Sequence, residues 1–312
     1  MKIIFFGTPS FAADVLTELL IQKIPIVAVI SKPDRPKGRS GTPVPTPVKL
    51  AAQAFDPLLP VYQPEIVSDP AFSATLAAYQ ADLFVVVAYG ELIKAHLLEM
   101  PRLGCINLHT SLLPKYRGAA PIQRCLINGE SETGVTIIHM VKKMDAGDVI
   151  EVARIPIGSE TNFGELEQAL CSVGKTLLLK VIHDFKAGYI NRIPQDPTQV
   201  TFAPKIELED CEIDWNQSAQ AIHNLVRGVN LHPVAWCYIQ LRGERKRLKI
   251  FQTQVVDAPK ALPGTILSHP KEPLLIATGD QALQLLFIQL EGKKMVASKE
   301  FMHGISLENL IF

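Results

Sequence analysis

The feature that most constrains the fold is a series of short apolar runs without alternation, several of them separated by helical patterns. Residues 2–6, KIIFF, read as a buried strand, a turn follows at Gly7-Thr8-Pro9-Ser10, residues 11–20 carry helical periodicity, and residues 26–30, IVAVI, close a β-α-β unit. Further strands are expected at 59–62, 83–87, 105–108, 135–140 and 149–155. A strand that is apolar on both faces must be covered on both, which is the signature of a mostly parallel sheet flanked by helices. Of the G-x-G-x-x-G that would admit a pyrophosphate at the first turn, only Gly7 is present, so a dinucleotide cofactor is excluded.

The chemistry concentrates in residues 104–148. Asn107 and His109 close one strand, and residues two apart in a strand project from the same face. Open α/β sheets take their ligands at this edge, in the crevice outside the carboxyl ends of the strands. A second strand, 135–140, runs into the turn Met144-Asp145-Ala146-Gly147-Asp148, which can deliver a carboxylate beside that pair. Taken singly, an Asn or His at a strand end is ordinarily a satisfied turn residue, and an Asp in a glycine-containing turn ordinarily bonds its own backbone.

Length and charge bound the rest. A chain of 312 residues, 47% hydrophobic, accommodates two cores, and 31 basic against 31 acidic residues leave no global attraction to a polyanion. An acidic partner must therefore meet local patches. Five cysteines without a C-x-x-C pair argue against a zinc knot or disulfide framework and for a reduced, cytoplasmic setting. The start of the chain shows no signal-peptide pattern, and no apolar run approaches the ~18 residues of a membrane span.

Residues 31–49 hold Lys32, Arg35, Lys37, Arg39 and Lys49 against Asp34, with five prolines and two glycines, and are expected to be an irregular basic loop at the rim of the crevice. Such charge suits a phosphate backbone. A helix over 162–186 carries a core stripe, and the polar, proline-punctuated stretch after it reads as a linker, dividing the chain into 1–188, 189–207 and 208–312. In the last part a helical stripe over 221–229 precedes short strands at 234–241, 248–256, 264–267, 274–277 and 283–290, the pattern of a small closed barrel. Arg242, Arg245, Lys246, Arg247 and Lys249 against Glu244 make a second basic patch there, with RNA contact and a merely solvated face both open.

Together, Asn107-Leu108-His109, Ser111-Leu112-Leu113-Pro114, Arg117-Gly118 and Asp145-Ala146-Gly147-Asp148 resemble the signature of the folate-dependent formyltransferases. Pro33-Asp34-Arg35-Pro36, continued by Gly38-Arg39, resembles the loop by which the methionyl-tRNA formyltransferases enter the acceptor arm of initiator tRNA. The resemblance covers nearly the whole chain. It implies a Rossmann-like N-terminal sheet of the formyltransferase fold and a C-terminal OB-like β-barrel. It also implies transfer of the formyl group of 10-formyltetrahydrofolate, a co-substrate needing no metal, to the α-amine of methionyl initiator tRNA.

By the same resemblance Asn107, His109 and Asp145 are catalytic. Ala88, Tyr89 and Gly90, with Ser111, Leu112, Leu113 and Pro114, surround the folate. Arg35, Lys37 and Arg39 contact tRNA, with Arg39 on the family's most important arginine, and Arg245, Lys246 and Arg247 are added from the barrel patch. A cytoplasmic monomer is expected. Two departures stand out: Ser40-Gly41-Thr42 where Gly-Lys-Lys often follows the arginine, and Thr110 where Gly or Pro is common. The alternatives are a formyltransferase acting on a sugar-nucleotide or other small amine, a hydrolase releasing formate from the same folate, and a non-catalytic RNA-binding protein. The first two leave the basic loop and barrel without a purpose, and the last leaves Asn107, His109 and Asp145 unexplained.

Overall fold

A computed structural model describes residues 1–36, 41–269, 272–303 and 310–312. They form two compact units, 1–118 with 132–155 and 167–202, and 119–131 with 156–166 and 203–312.

The first unit is built on a seven-stranded sheet. Its strands are β1 (Ile3–Gly7), β2 (Ile26–Ile30), β3 (Val61–Tyr62), β4 (Leu83–Val87), β5 (Cys105–His109), β6 (Glu132–His139) and β7 (Val149–Pro156), in the spatial order β7-β6-β5-β4-β1-β2-β3. Strands β3, β2, β1, β4 and β5 pair in parallel, and β6 returns antiparallel to β5. Every residue of β1 and of β4 is buried, which is why these segments are apolar without alternation. Helix α1 (Ser10–Ile21) covers the sheet with Phe11, Val15, Leu16 and Leu19, each such burial contributing about 1.5–3 kcal/mol. Gly7 permits this close approach: a Cβ there would stand 2.7 Å from that of Ala12. The parallel direction brings the carboxyl ends of β4 and β5 side by side, with Val86 in register with Asn107.

The proline-rich loop is more regular than its composition suggests. Arg35–Pro36 pairs antiparallel with Pro43–Val44, and Pro47 opens helix α2 (Pro47–Phe55) with Thr46 as its cap. Proline at the first helical turn gives up only an N–H that would have no partner in the helix.

The second unit holds an antiparallel sheet that curls as a half-barrel, in the order Leu275–Ala277, Ala282–Leu290, Glu244–Val256, Ala235–Leu241, Leu310–Ile311. Residues 264–267 run along Leu275–Ala277 through the bridge Ile266↔Ile276 and the bonds Gly264 N–H to Ala277 O, Ala277 N–H to Thr265 O and Leu267 N–H to Leu275 O, and among the described residues the expected barrel is found as this half-barrel. Alternate residues Ala235, Cys237, Ile239, Leu248 and Ile250 face a core shared with Ile222 and Val226 of helix Ala219–Gly228. The segments 119–131 and 156–166 belong here although they lie inside the expected first domain. The buried Arg227 guanidinium donates to the carbonyls of Gly158 and Thr161, and a Cβ on Gly228 would come within 2.9 Å of Ile127.

Candidate active site

Strand β5 ends on Asn107 and His109, which the period of two puts on one face. The chain leaving β6 turns back so that Asp145 meets both. Its Oδ1 lies 3.5 Å from Asn107 Nδ2, its Oδ2 lies 3.8 Å from His109 Nδ1, and that same Oδ2 accepts the Gly118 backbone N–H at 2.9 Å. The structure thus brings together the three residues expected from the sequence and adds a backbone donor. His109 is 6% exposed, and the Asp145 side chain 12%, so water screens their interaction weakly.

The turn is held in an uncommon shape. Asp145 has φ +49°, a left-handed conformation that costs a residue other than glycine about 1–3 kcal/mol. Two residues on, Gly147 passes so close to β6 that a Cβ would lie 1.6 Å from the His139 carbonyl oxygen. His139 N–H donates to Asp148 O at 2.9 Å across the same gap. Burial holds the His139 imidazole below its usual range, so the neutral ring donates from Nε2 to Asn191 O at 3.1 Å.

His109 donates from Nε2 to the Tyr116 carbonyl at 2.9 Å. With a hydrogen fixed on Nε2, Nδ1 faces Asp145 as an acceptor in the neutral ring and as a donor only in the imidazolium. The tautomer of the neutral His109 ring is thus set by Tyr116 O.

One participant escapes any sequence reading. Gln195, in the stretch expected to be a linker, donates from Nε2 to Asp145 O and to Gly147 O, both at 2.8 Å. Its Oε1 accepts from Arg117 Nε at 3.1 Å and Nη2 at 2.7 Å. No motif marks a glutamine in a polar run.

Of the residues expected to surround a folate, Ala88 and Gly90 are exposed just beyond β4, whereas Tyr89 is buried against Phe6. Leu112 and Pro114 are half-buried. Ser111 is fully buried with its hydroxyl committed to Lys115 O, and Leu113 packs with Ile138 and Val149.

The basic loop is partly neutralised at its base. Lys49 and Lys32 pair with Asp34 and Glu91, each at 2.6 Å, and Gln63 and Lys49 hold the Asp34 carboxyl below the usual carboxylate range. Arg35 pairs with Glu65 only at the surface, where such bonds contribute about 0–1 kcal/mol. Lys37 and Arg39 lie outside the described residues. In the second unit Arg245 stacks 3.6 Å over the Tyr238 ring and Arg247 4.3 Å over Trp236, while Lys246 pairs with Glu244 at 2.8 Å. Stacking occupies the guanidinium faces and leaves their edges as donors.

Comparison with known proteins adds the following. Residues 1–182 match the family model described as formyl transferase, and residues 205–306 that of the formyl transferase C-terminal domain. A protein of Protochlamydia amoebophila named methionyl-tRNA formyltransferase is 63% identical over 312 residues, covering 100% of this chain and 98% of its own length. A methionyl-tRNA formyltransferase of Staphylococcus epidermidis is 44% identical, covering 99% of this chain and 98% of its own length. Among solved structures, the N-formyltransferase of Helicobacter canadensis, in complex with folinic acid and dTDP-3-aminofucose, superposes with a TM-score of 0.67 at 18% identity, covering 91% of this chain and 99% of its own. HypX from Aquifex aeolicus, in complex with tetrahydrofolic acid, superposes with a TM-score of 0.66 at 18% identity, covering 98% of this chain. The chain spans about half of that protein, 48%. At these identities the two structures speak to the fold alone.

Proposed function

This chain belongs to the formyl transferase family, and on that premise we propose that it moves the formyl group of 10-formyltetrahydrofolate onto the α-amino group of methionyl initiator tRNA. The observation that carries the chemistry is the convergence of Asn107, His109 and the Gly118 N–H on one Asp145 carboxylate at the carboxyl edge of the sheet. The acceptor follows from the two full-length relatives, whose printed names specify methionyl-tRNA.

The folate supplies an activated formyl carbonyl. Exposed backbone at Ala88 and Gly90 and the half-buried Leu112 and Pro114 suit a flat, largely apolar ligand beside Asn107. Asn107 donates an amide hydrogen to the oxygen on which negative charge develops, the preorganised electrostatic help that is usually the largest catalytic contribution. His109, when protonated, directs its Nδ1–H at Asp145 and sets positive charge beside that oxygen. Asp145, kept hydrogen-bonded by Gly118 N–H, takes the proton of the attacking amine directly or through one water. In the balance, the amine nitrogen gains the bond to the formyl carbon, the donor nitrogen loses it, and the amine's proton ends on that donor nitrogen. No protein nucleophile is needed, and all five cysteines are buried.

The division at 188 and 207 into catalytic part, linker and tRNA-binding part, a monomeric state and a cytoplasmic setting belong to the same reading. Among the described residues no helix is long and apolar enough to cross a membrane. Contact with tRNA is assigned to Arg35, Lys37 and Arg39 and to Arg245, Lys246 and Arg247.

The acceptor assignment is tested at Arg39. Arg39→Ala is expected to lower formylation of methionyl-tRNA about tenfold or more, the cost of one charge-assisted contact, while hydrolysis of the formylfolate stays within about twofold. Arg39→Lys recovers only part, because it keeps the charge without the planar fork. Equal loss of both activities would reassign Arg39 to the folate site or the fold, and normal tRNA formylation would remove the loop from acceptor recognition.

A further inference from the structure

We propose that Gln195 is a positioning residue for the catalytic turn, with Arg117 fixing the direction in which its amide points. The inference rests on the reading of Asp145 as the proton acceptor. The turn offers two backbone carbonyls, those of Asp145 and Gly147. A single donor group, the Gln195 amide, takes both at 2.8 Å. A side-chain amide could be placed either way round, and its partners here decide the orientation. Arg117 offers only hydrogens, from Nε at 3.1 Å and Nη2 at 2.7 Å, so it selects the amide oxygen. Turned over, the amide would set donor against donor at Arg117 and acceptor against two acceptors at the turn. Arg117 is itself 6% exposed, and its backbone N–H is tied to Thr201 O at 2.9 Å, so the fork is stationary.

The consequence reaches the chemistry through the backbone. Asp145 sits in a left-handed conformation, and the direction of its carboxylate toward Asn107 and His109 is set by that φ of +49°. A turn released at its carbonyls relaxes by rotation about Asp145, and the Oδ2 atom then leaves the Gly118 N–H. Displacement of a reacting group by about 1 Å costs on the order of 10²-fold in rate.

Gln195→Glu is the informative variant. It keeps the size of the side chain and the acceptors for Arg117, removes both hydrogens given to the turn, and sets a carboxylate oxygen against two carbonyls. The expected result is a kcat lower by about 10- to 100-fold with KM for formylfolate and for methionyl-tRNA within about twofold. Arg117→Lys, which offers one donor direction in place of a fork, should show a smaller loss of kcat. Asp145→Asn measured in parallel separates the two levels. An active Asp145→Asn would overturn the underlying assignment, whereas an inactive Asp145→Asn beside a Gln195→Glu of wild-type kcat would overturn this inference alone. A Gln195→Glu protein whose kcat and KM fail together, with a lowered unfolding midpoint, would make Gln195 a residue of the fold only and equally overturn it.

Discussion

Asp145→Asn is expected to slow formyl transfer by about 10²- to 10⁴-fold under single-turnover conditions with both substrates saturating. The substitution is nearly isosteric. Asparagine tolerates the left-handed φ of +49° found at this position, so the backbone of the turn stays where it is. Its amide oxygen can still accept the Gly118 N–H that Asp145 accepts at 2.9 Å. What disappears is the charge 3.8 Å from His109 Nδ1 and the only carboxylate that reaches both Asn107 and His109 among the described bonds. An amide can neither receive the amine's proton nor stabilise an imidazolium. Folate binding and the thermal unfolding midpoint should stay near wild type, and quench-flow at saturating substrate reads the chemical step. A rate within a few-fold of wild type would remove Asp145 from the mechanism.

Gly147→Ala is expected to reduce transfer by about 10²-fold and to lower stability as well. A Cβ at this position would fall 1.6 Å from the His139 carbonyl oxygen and 2.8 Å from its carbon, distances no pair of such atoms sustains. The obstacle is backbone of β6, which cannot swing aside like the end of a long side chain. The turn must move instead, breaking the bond from His139 N–H to Asp148 O and the bond from Gln195 to Gly147 O. Asp145 is two residues away and follows. Activity and unfolding midpoint measured on one preparation should fall together. An alanine variant with unchanged kcat would show that the site does not depend on this close approach.

How much of this was legible in the sequence depends on how local each interaction is. The strand pair Asn107 and His109 could be read because a period of two is a property of the strand itself, and the parallel sheet because unbroken apolar runs admit few other burials. Asp145 could be read as the site's carboxylate only through its company. Nothing in a turn sequence says which strand end it will meet 38 positions away. Gln195 was out of reach for the same reason carried further: its bond to Arg117, itself part of the signature, spans 78 positions, and no periodicity exposes it. In the basic loop, setting the cations against Asp34 could not include Glu91, which pairs with Lys32 from outside the segment, and counting prolines overlooked that Pro47 sits comfortably in the first turn of α2. In the second unit the β-rich run 234–241 could be read as a strand and is found at Ala235–Leu241, but closure depends on pairing at the sheet's ends, which no single strand encodes.

The most direct test of the central claim is a single-turnover reaction of the wild-type protein with formyl-labelled 10-formyltetrahydrofolate and, in separate tubes, methionyl initiator tRNA, free methionine and a nucleotide-linked amino sugar. The site described here predicts label on the methionyl amine of the tRNA, with transfer to the other two slower by about 10²-fold or more, since binding of a remote part of the acceptor is what drives its amine into place. Transfer to the amino sugar at a comparable rate, or release of labelled formate with none on the tRNA, would contradict it.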